Sequence, residues 1–286
     1  MKPVWEQDKV RQDKVWQGTG DQGSVARLRE SLPGIVPDWP APARVGAFVT
    51  TRLGGCSAGP YGDASGGAVG LNLGEHVGDD PAHVAANRAR LQALLPAPIC
   101  WMEQVHGVTV YEADRLNGAA GVPRADAAVT STPGAVLSIM TADCLPILLT
   151  DEQGAAIACA HAGWRGLASG VIEASVTALR SRLGAEARLM AWLGPAIGPR
   201  AFEVGDEVRA AFGDQDADAL SAFAPGPIAG KWWADLYALA HRRLHACGVE
   251  QVSGGVCCTV SDPQRFYSPR RDRVSGRMVS LLWIDP

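Results

Sequence analysis

The chain has 286 residues, 47% of them hydrophobic and 20% charged, and a formal net charge of −4 at pH 7. This length predicts one or two domains, and the composition is that of an ordinary globular protein. The negative charge gives no electrostatic reason to expect nucleic acid or an anionic membrane as a partner, and no apolar run approaches the roughly 20 residues that span a bilayer. The seven cysteines are scattered or adjacent. Because the N-terminus also lacks an apolar signal region, we expect a cytoplasmic protein with reduced thiols.

The chain divides into two predicted regions. Residues 1–32 are polar and carry charges of both signs. They predict a poorly ordered N-terminal extension, because a segment that buries little apolar surface cannot offset the entropy lost on ordering. Residues 33–286 are predicted to form the folded, catalytic domain, with Val45–Thr50 as its first confident strand.

A glycine-rich stretch over residues 54–74 follows that strand. Loops of this length in compact domains are usually functional or disordered. We favour a lid or substrate wall over a floppy insertion, because Arg52 and Asn72 flank the stretch. A helix is predicted next over Asp79–Leu95, since Pro81 follows two aspartates that can cap its first turn.

Three short apolar runs in the middle of the chain predict buried strands at Val136–Met140, Pro146–Leu149 and Ala155–Ala160. Cys144 lies where the first run has stopped, and His161 directly follows the third. The two residues are 17 positions apart, about the length of a hairpin out and back. Their side chains can therefore meet at one cleft.

The remaining segments alternate between strand patterns and helical spacing. Strands are predicted at Ile99–Gln104, Val108–Glu112, Ala125–Thr130, Arg188–Leu193, Val249–Cys257 and the apolar end of Phe266–Ile284. Helices are predicted at Leu167–Leu183, Gly205–Phe212 and Trp233–Cys247. Because the alternation has no strict βαβ period, it predicts a mixed sheet with helices packed on it, in one α/β or α+β domain.

Two histidines share the sequence context of Cys144. His106 and His161 each end a predicted strand and are followed at once or within two residues by glycine. With Cys144 they offer two nitrogen ligands and one sulfur ligand, the arrangement of a catalytic zinc site with one open position. Asp143, beside the cysteine, could orient a ligand or accept a proton. No CxxC or HExxH spacing is present, so the residue pattern by itself favours a buried cysteine and hydrogen-bonded core histidines.

Arginines are the candidates for binding an anion. Arg165 lies where the motif HAGWRG opens a predicted helix, whose free backbone N–H groups attract negative charge. The alternative is that Trp164 and Arg165 only pack. Five arginines, including Arg271, lie in the C-terminal loop. They predict a phosphate or carboxylate site or a solvated basic face paired with aspartates, and the residue pattern favours the solvated face.

Motifs in order over about residues 38–285 resemble those of the YfiH-like family. They include TTRLGG, GLNLGEHVGDD, WMEQVHG, MTADCLPILL, AHAGWRGL and SPRRDRVSGRM. Members of that family are described as laccase-domain or multicopper polyphenol oxidase proteins, as purine nucleoside phosphorylases and as peptidoglycan-editing factors. The resemblance implies a single-domain mixed-sheet sandwich with packed helices, YfiH/CNF-like. It also implies a zinc site, with copper as the other possible metal, formed by His106, Cys144 and His161.

The activity implied by the resemblance is phosphorolysis of adenosine, inosine and methylthioadenosine, with deamination of adenosine. Nucleosides and phosphate are then the expected partners, without nucleic acid or membrane, and the protein is expected to be a monomer or homodimer. The residues assigned to catalysis are Asp143, Cys144 and His161, and those assigned to substrate binding are Arg52, Asn72, Arg165 and Arg271.

The chain departs from the family pattern in three places. Residues 1–32 have no counterpart, the glycine-rich loop carries a few extra residues, and Pro269 stands where an aromatic residue is usual. The histidine count also conflicts with multicopper oxidase chemistry. One blue-copper site takes two histidines and a cysteine, and the chain has six histidines and no HxH pair. We therefore expect one metal centre rather than several.

Three hypotheses follow. The first is a zinc-dependent purine nucleoside phosphorylase with adenosine deaminase activity. The second is a hydrolase that edits peptidoglycan precursors such as UDP-muramyl-Ser, in which Cys144 acts as a nucleophile with a histidine base. The third is a non-enzymatic zinc-binding module. Phosphate-dependent turnover of a purine nucleoside separates the first from the second, and bound metal without turnover favours the third.

Overall fold

Two β-sheets packed face to face form the framework of the protein. The computed structural model describes residues 23–115 and 121–286. Within these residues one sheet has five strands, in the spatial order β1 (Gly34–Ile35), β2 (Val45–Thr50), β15 (Met278–Ile284), β7 (Val136–Thr141) and β4 (Ile99–Cys100). The other has six, in the order β14 (Gln251–Gly254), β10 (Leu189–Leu193), β8 (Leu145–Asp151), β9 (Ile157–Ala162), β6 (Ala127–Thr130) and β5 (Val110–Glu112). The elements outside these sheets include β3 (Leu53–Ser57) and a small sheet of β11 (Glu203–Gly205), β13 (Lys231–Ala234) and β12 (Phe223–Pro225).

The apolar faces of the two large sheets meet in the interior. Along β7, Leu137 and Ile139 point into the space between the sheets, whereas Val136 packs on the outer face. Along β8, Leu148 points inward between the sheets and Ile147 packs outward. This alternation is the two-residue period of a strand. Both faces are buried, which explains why these strands appear in the sequence as continuous apolar runs.

Helices cover the outer face of each sheet. The five-stranded sheet packs against α1 (Ser24–Ser31) and α2 (Pro81–Gln92). The six-stranded sheet packs against α3 (Trp164–Ser169), α4 (Val171–Leu183), α5 (Asp206–Gly213) and α6 (Leu236–Ala246), and α7 (Pro269–Asp272) lies in the C-terminal segment. In the part of the chain that the structure describes, no helix has the length and apolar character needed to cross a membrane. The layers confirm the expected mixed-sheet α/β sandwich with packed helices.

Two predicted helices are wrong in extent. Leu167–Leu183 is not one helix, because Gly170 ends α3 and precedes α4 with a φ of 101°, a left-handed conformation that glycine adopts at little cost. Trp233 belongs to β13 rather than to the following helix. That helix begins only after Asp235, whose side chain accepts a hydrogen bond from the Ala238 N–H at 3.0 Å.

The last part of the predicted N-terminal extension packs on the domain. Residues 1–22 lie outside the described residues. Ser24–Ser31 form α1, and Leu28 and Leu32 are 0% and 3% exposed in the core against the five-stranded sheet. The two leucines are four residues apart, so they lie on the same side of the helical segment. The predicted boundary between residues 32 and 33 is therefore corrected, since the packed chain reaches back to Ser24.

The chain crosses from one sheet to the other next to Cys144. Strand β7 belongs to the five-stranded sheet and β8 to the six-stranded sheet, and residues 142–144 join them. Strands β8 and β9 then pair antiparallel, with Pro146 opposite His161. Cys144 and His161 consequently lie at the same end of the sandwich, as the hairpin interpretation requires.

Candidate metal centre

Three side chains converge at this end of the sandwich. The ligand atoms of His106, Cys144 and His161 all lie within 4.8 Å of one another. Cys144 Sγ is 3.8 Å from His106 Nε2, and the two imidazole centroids are 4.7 Å apart. Two imidazoles and one thiolate are a donor set that holds zinc with one position left open. The three residues predicted as metal ligands thus meet, and their chemistry fits a bound metal ion.

Asp126 holds both histidines in place. Its carboxylate is 0% exposed and accepts a hydrogen bond from His161 Nδ1 at 2.8 Å. It also accepts the backbone N–H groups of Val105, His106 and Gly107 at 3.1, 2.8 and 2.7 Å. Because Nδ1–H of His161 donates to this carboxylate, the lone pair of Nε2 is left for a metal ion.

The charges at the centre are mutually stabilising. Burial opposes ionisation of Cys144, but the charge of His161 and hydrogen bonds from both imidazoles outweigh it and lower the pKa of the thiol to about 6. Burial would likewise lower the pKa of His161, but the charge of Cys144 and the hydrogen bond to Asp126 raise it to about 9. Cys144 is therefore a thiolate paired with the charged ring of His161, and a metal ion would replace the proton on His161 Nε2.

Left-handed backbone conformations mark the site. Among the described residues, positive φ outside glycine occurs at His106 (61°), Asp143 (78°) and Arg273 (63°). Such conformations cost of order 1–3 kcal/mol each and persist only where surrounding structure holds them. At His106 that structure is the turn whose three N–H groups donate to Asp126. The strain fixes the direction in which the imidazole leaves the backbone.

Asp143 connects the cysteine turn to the C-terminal segment. Its carboxylate accepts hydrogen bonds from the hydroxyl of Thr259, from the hydroxyl of Ser268 at 2.9 Å and from the Arg270 N–H at 3.0 Å. Its backbone carbonyl accepts the Ile197 N–H at 2.9 Å. Three donors already occupy the carboxylate, which supports the predicted orienting role more than the predicted role as a proton acceptor.

Gly163 lets the three ligands approach one another. Its φ of −61° is open to any residue. An added Cβ, however, would lie 2.8 Å from His106 Cδ2 and 3.0 Å from Cys144 Sγ, closer than ordinary van der Waals contact. The glycine is therefore required by space and not by backbone conformation.

Gly163→Ala is expected to displace His106 or Cys144 and to lower zinc affinity by about ten- to a hundredfold, the range seen when the surroundings of metal ligands are disturbed. Destabilisation from the extra methyl group is expected at about 1–3 kcal/mol. Competition with a coloured chelator gives the affinity, and thermal unfolding gives the stability. Zinc affinity equal to that of the wild type would show that the ligands adjust freely to the added carbon.

The three ligands lie in the wall of a cavity of about 740 Å³. The wall has two aromatic rings, Trp164 and Phe202, and three arginines, Arg165, Arg270 and Arg277. Its other polar side chains include His76, Glu103, Gln104 and Asp143. The size is that of a small-molecule site, and the guanidinium groups provide donors for an anion.

Of the four residues predicted to bind substrate, only Arg165 lines this cavity. Arg52 is 4% exposed and donates to the carbonyls of Gly62, Pro263 and Asp63 at 2.9, 2.9 and 3.0 Å. Its guanidinium also lies 4.8 Å from the ring centroid of Tyr267. The prediction for Arg52 is corrected, because this arginine binds three loops together.

Asn72 and Arg271 are also corrected. Asn72 is fully buried, with its amide oxygen accepting the Arg277 N–H at 2.9 Å. Arg271 donates to the carbonyls of Thr259 and Phe266 at 2.7 and 2.9 Å and pairs with Asp272 at 2.6 Å. Both side chains hold the C-terminal segment, and neither lines the cavity.

Arg52→Lys is therefore expected to lower the melting temperature without changing the phosphate dependence of activity. A lysine cannot reach the three carbonyls with the planar geometry of the guanidinium, and each buried acceptor left unpaired costs about 1–3 kcal/mol. Thermal unfolding and a phosphate titration of the variant test this together. A raised phosphate requirement with an unchanged melting temperature would contradict the structural role.

The sequence interpretation missed Asp126, and it singled out Arg271, which lies outside the cavity wall. The signal for Asp126 was a single carboxylate at the start of the apolar strand Ala125–Thr130. For the loop, the pattern favoured a solvated basic face over an anion site, but Arg270 and Arg277 line the cavity while Arg271 does not. Packing decides which arginines line the cavity, and the residues next to each arginine in the sequence do not show it.

Comparison with known proteins places the chain in a family. The family model described as multi-copper polyphenol oxidoreductase laccase matches residues 46–285. The purine nucleoside phosphorylase PA4543 of Pseudomonas aeruginosa is 54% identical over 250 residues, covering 87% of this chain and 98% of that protein. The purine nucleoside phosphorylase YfiH of Escherichia coli is 48% identical over 253 residues, again covering 87% and 98%.

A solved structure is similar over the same range. The Neisseria meningitidis protein NMB0706 superposes with a TM-score of 0.81 at 45% identity, covering 88% of this chain and 99% of that one. The family model, the relatives and the solved structure all cover the range of the chain that holds His106, Cys144 and His161. The chain therefore belongs to the laccase-like family described as multi-copper polyphenol oxidoreductase laccase, which is the YfiH-like family that its motifs resemble.

Proposed function

We propose that the protein is a zinc-dependent purine nucleoside phosphorylase that acts on adenosine, inosine and methylthioadenosine and also deaminates adenosine. The observation that carries the proposal is the position of the His106, Cys144 and His161 cluster in the wall of a cavity that three arginines share. The names of the relatives at 48% and 54% identity support the purine nucleoside phosphorylase activity.

The cavity suits a nucleoside and an anion together. Its volume of about 740 Å³ is within the range of small-molecule sites. Trp164 and Phe202 offer ring faces against which a purine can stack. The guanidinium groups of Arg165, Arg270 and Arg277 supply charge-assisted donors that match phosphate oxygens. Apolar and cationic surfaces thus lie side by side, as phosphorolysis of a nucleoside requires.

The reaction forms one bond and breaks one. A phosphate oxygen bonds to C1′ of the ribose, and the bond from C1′ to the purine nitrogen breaks with its electron pair leaving on the base. The protein's contribution is to hold the two reactants in line and to offset the phosphate charge. The arginines act on the phosphate, while Asp143 keeps the segment that carries Arg270 against the cysteine turn.

His106, Cys144 and His161 would hold the metal ion. When bound, zinc would supply Lewis acidity for polarising a substrate oxygen or activating water, the second of which deamination needs. The side chains of the protein prepare the site: Asp126 fixes the tautomer of His161, and the lowered pKa of Cys144 provides the thiolate. Within the described ranges this is the one cluster of three such ligands, which supports a single metal centre and not a multicopper enzyme.

The decisive test is turnover of inosine by the purified, zinc-loaded protein with and without inorganic phosphate. The proposal expects hypoxanthine and ribose 1-phosphate in equal amounts, and no base release without phosphate. Conversion of adenosine to inosine in phosphate-free buffer tests the deaminase activity separately. Base release that is independent of phosphate would contradict phosphorolysis.

The contact between Cys144 and His106 keeps the editing hydrolase as the second candidate. A thiolate with a lowered pKa beside an imidazole is also the arrangement of a nucleophile and its base. Hydrolysis of UDP-muramyl-Ser, with no nucleoside cleavage, would favour this hydrolase. Stoichiometric zinc with neither reaction would favour the non-enzymatic binding module.

A further inference from the structure

The three arginines of the cavity wall differ in how they are held. Arg277 is partly buried, whereas the other two are exposed. Its Nη1 donates to the backbone carbonyls of Ser275 and Gly276, both at 3.0 Å. Its Nε and Nη2 have no hydrogen-bond partner within residues 23–115 and 121–286. One edge of a fixed guanidinium is therefore free for two parallel bonds to a ligand, the geometry that phosphate and carboxylate accept.

His76 lies on the same wall, in a single turn formed by Glu75–Val77. Its imidazole has no hydrogen-bond partner in the part of the chain that the structure describes. Burial and the charges of Arg277 and Arg88 hold the pKa of His76 below its ordinary value. The lowered pKa favours the neutral ring, which has one N–H donor, and the side chain is exposed on the cavity wall. His76 is also separate from the metal cluster, which His106, Cys144 and His161 complete.

The carboxylates nearest to these two residues are already engaged. Glu75 pairs with Arg88 at 2.8 Å, so it does not neutralise Arg277. The charges of Cys144 and Asp143 act on Arg277. The Cys144 thiolate would be taken up by a bound metal ion, and Asp143 accepts three hydrogen bonds from the C-terminal half of the chain. The free guanidinium edge and the imidazole N–H therefore remain as donors for an anionic ligand.

One buried amide fixes the backbone of both residues. Asn72 accepts the N–H of Arg277 at 2.9 Å and the N–H of Gly74 at 3.0 Å. Its amide nitrogen donates to the Gly74 carbonyl at 3.3 Å and to Asp79 at 2.9 Å. Gly74 directly precedes the turn that carries His76. Because a fully satisfied buried amide holds its neighbours rigidly, the placement of His76 and Arg277 depends on Asn72.

We infer that Arg277 and His76 form the subsite for the anionic group of the substrate, and that Asn72 is its positioning residue. In the proposed phosphorolysis that group is inorganic phosphate, so this inference rests on the proposed function. The guanidinium edge binds two oxygens, and the imidazole N–H donates to a third. Arg165 lies over the ring of Trp164 at 4.3 Å, and Arg270 lies over the ring of Phe202 at 5.4 Å and donates to the Glu203 carbonyl at 2.8 Å. These two arginines add positive charge around the subsite.

The test is calorimetric titration of inorganic phosphate into the zinc-loaded full-length protein. Arg277→Gln is expected to weaken phosphate binding at least about tenfold, and His76→Phe about three- to tenfold, as loss of a charged and of a neutral donor predicts. The matched surface controls are Arg188→Gln and His245→Phe, whose side chains pair with Glu152 and Glu250 away from the cavity. Both controls are expected to bind phosphate as the wild type does, and zinc content should be unchanged throughout.

The positioning role has its own readout. Asn72→Ala is expected to weaken phosphate binding. The double variant Asn72→Ala/Arg277→Gln should bind phosphate no more weakly than the double variant Arg277→Gln/His76→Phe, so its loss should be smaller than the sum of the losses in Asn72→Ala and Arg277→Gln. That non-additivity follows if the amide acts through the two subsite residues. Fully additive losses would overturn the role of Asn72.

The subsite would be overturned if the wild type did not bind phosphate. It would also be overturned if Arg277→Gln and His76→Phe both bound phosphate as tightly as the wild type. The inosine assay separates this result from failure of the proposed function. If the wild type cleaves inosine in a phosphate-dependent way and the variants keep their phosphate affinity, only the subsite is contradicted. If the variants bind phosphate more weakly but the wild type cleaves no nucleoside, the proposed reaction is contradicted and the anion subsite is supported.

Discussion

Cys144→Ala is expected to empty the metal centre and to abolish turnover while leaving the fold intact. Cys144 is the one sulfur ligand of the cluster, and two imidazoles alone bind zinc too weakly to retain it. We expect about one zinc per chain in the wild type and less than about one tenth in the variant, with turnover reduced at least about a hundredfold. Elemental analysis, an inosine assay and a thermal melt on the same preparation measure the three quantities.

Cys247→Ala is the matched control for this experiment. Cys247 is likewise partly exposed and lies at the end of α6, outside the cluster. Its removal should leave both zinc and turnover unchanged. Undiminished zinc in Cys144→Ala would exclude that residue as a ligand. Zinc retained with turnover lost would instead show that Cys144 acts in the reaction by a role other than metal binding.

The second large effect is expected for Asp126→Asn. The amide group turns one acceptor oxygen into a donor, so at least one of the four donors now bonded to Asp126 loses its partner. Each buried donor left unpaired costs about 1–3 kcal/mol. Because His161 also loses the carboxylate that fixes its tautomer, zinc affinity should fall by about ten- to a hundredfold. Denaturant unfolding and chelator competition measure the two losses.

Asp151→Asn separates the metal effect from the stability effect. The Asp151 carboxylate is 7% exposed and accepts the backbone N–H groups of Gln153, Ala155 and Ala156 at 3.0, 2.7 and 3.1 Å. It lies at the end of β8 remote from Cys144. Its replacement should cost comparable stability without lowering zinc affinity. Equal loss of zinc affinity in both variants would show that Asp126 acts only through general destabilisation.

Asp126 is also expected to make the free energy of unfolding of the zinc-free protein depend on pH in the acid range. Burial opposes ionisation of Asp126, but hydrogen bonds from His161 and the backbone lower its pKa to about 2. A carboxyl group whose pKa is lowered on folding stabilises the native state above its unfolded value of about 4. That contribution is lost as pH falls from about 4 towards 2. The free energy of unfolding should therefore fall less steeply across this window in Asp126→Asn than in the wild type.

The meeting of Cys144 and His161 could be predicted because both residues lie at local breaks in the pattern. Cys144 and His161 interrupt apolar runs, and the hairpin between them follows from strand length and turn chemistry alone. The antiparallel register of β8 and β9 then leaves little freedom in where the two side chains meet. Their supporting carboxylate was not predictable in the same way, because Asp126 contacts His161 across 35 residues of chain.

The positions of Arg52, Asn72 and Arg271 relative to the cavity were not predicted, because distant segments decide their contacts. Arg52 and Arg271 carry the same charge as Arg277, and nothing in the local sequence separates an arginine that ties loops together from one that faces a cavity. The bond between Asn72 and Arg277 joins residues 205 positions apart. Only the folded chain shows that Asn72 lies behind the cavity wall.

The sequence by itself determined the apolar strands, the mixed α/β fold and the meeting of Cys144 with His161, since burial and turn formation depend on neighbouring residues. The tertiary structure decided the features that require long-range closure. It divided the helix at Gly170, packed Leu28 and Leu32 into the core, and placed Asp126 beneath both histidines. It also selected Arg270 and Arg277 over Arg271 as cavity residues, because a side chain's surroundings are set by contacts that span most of the chain.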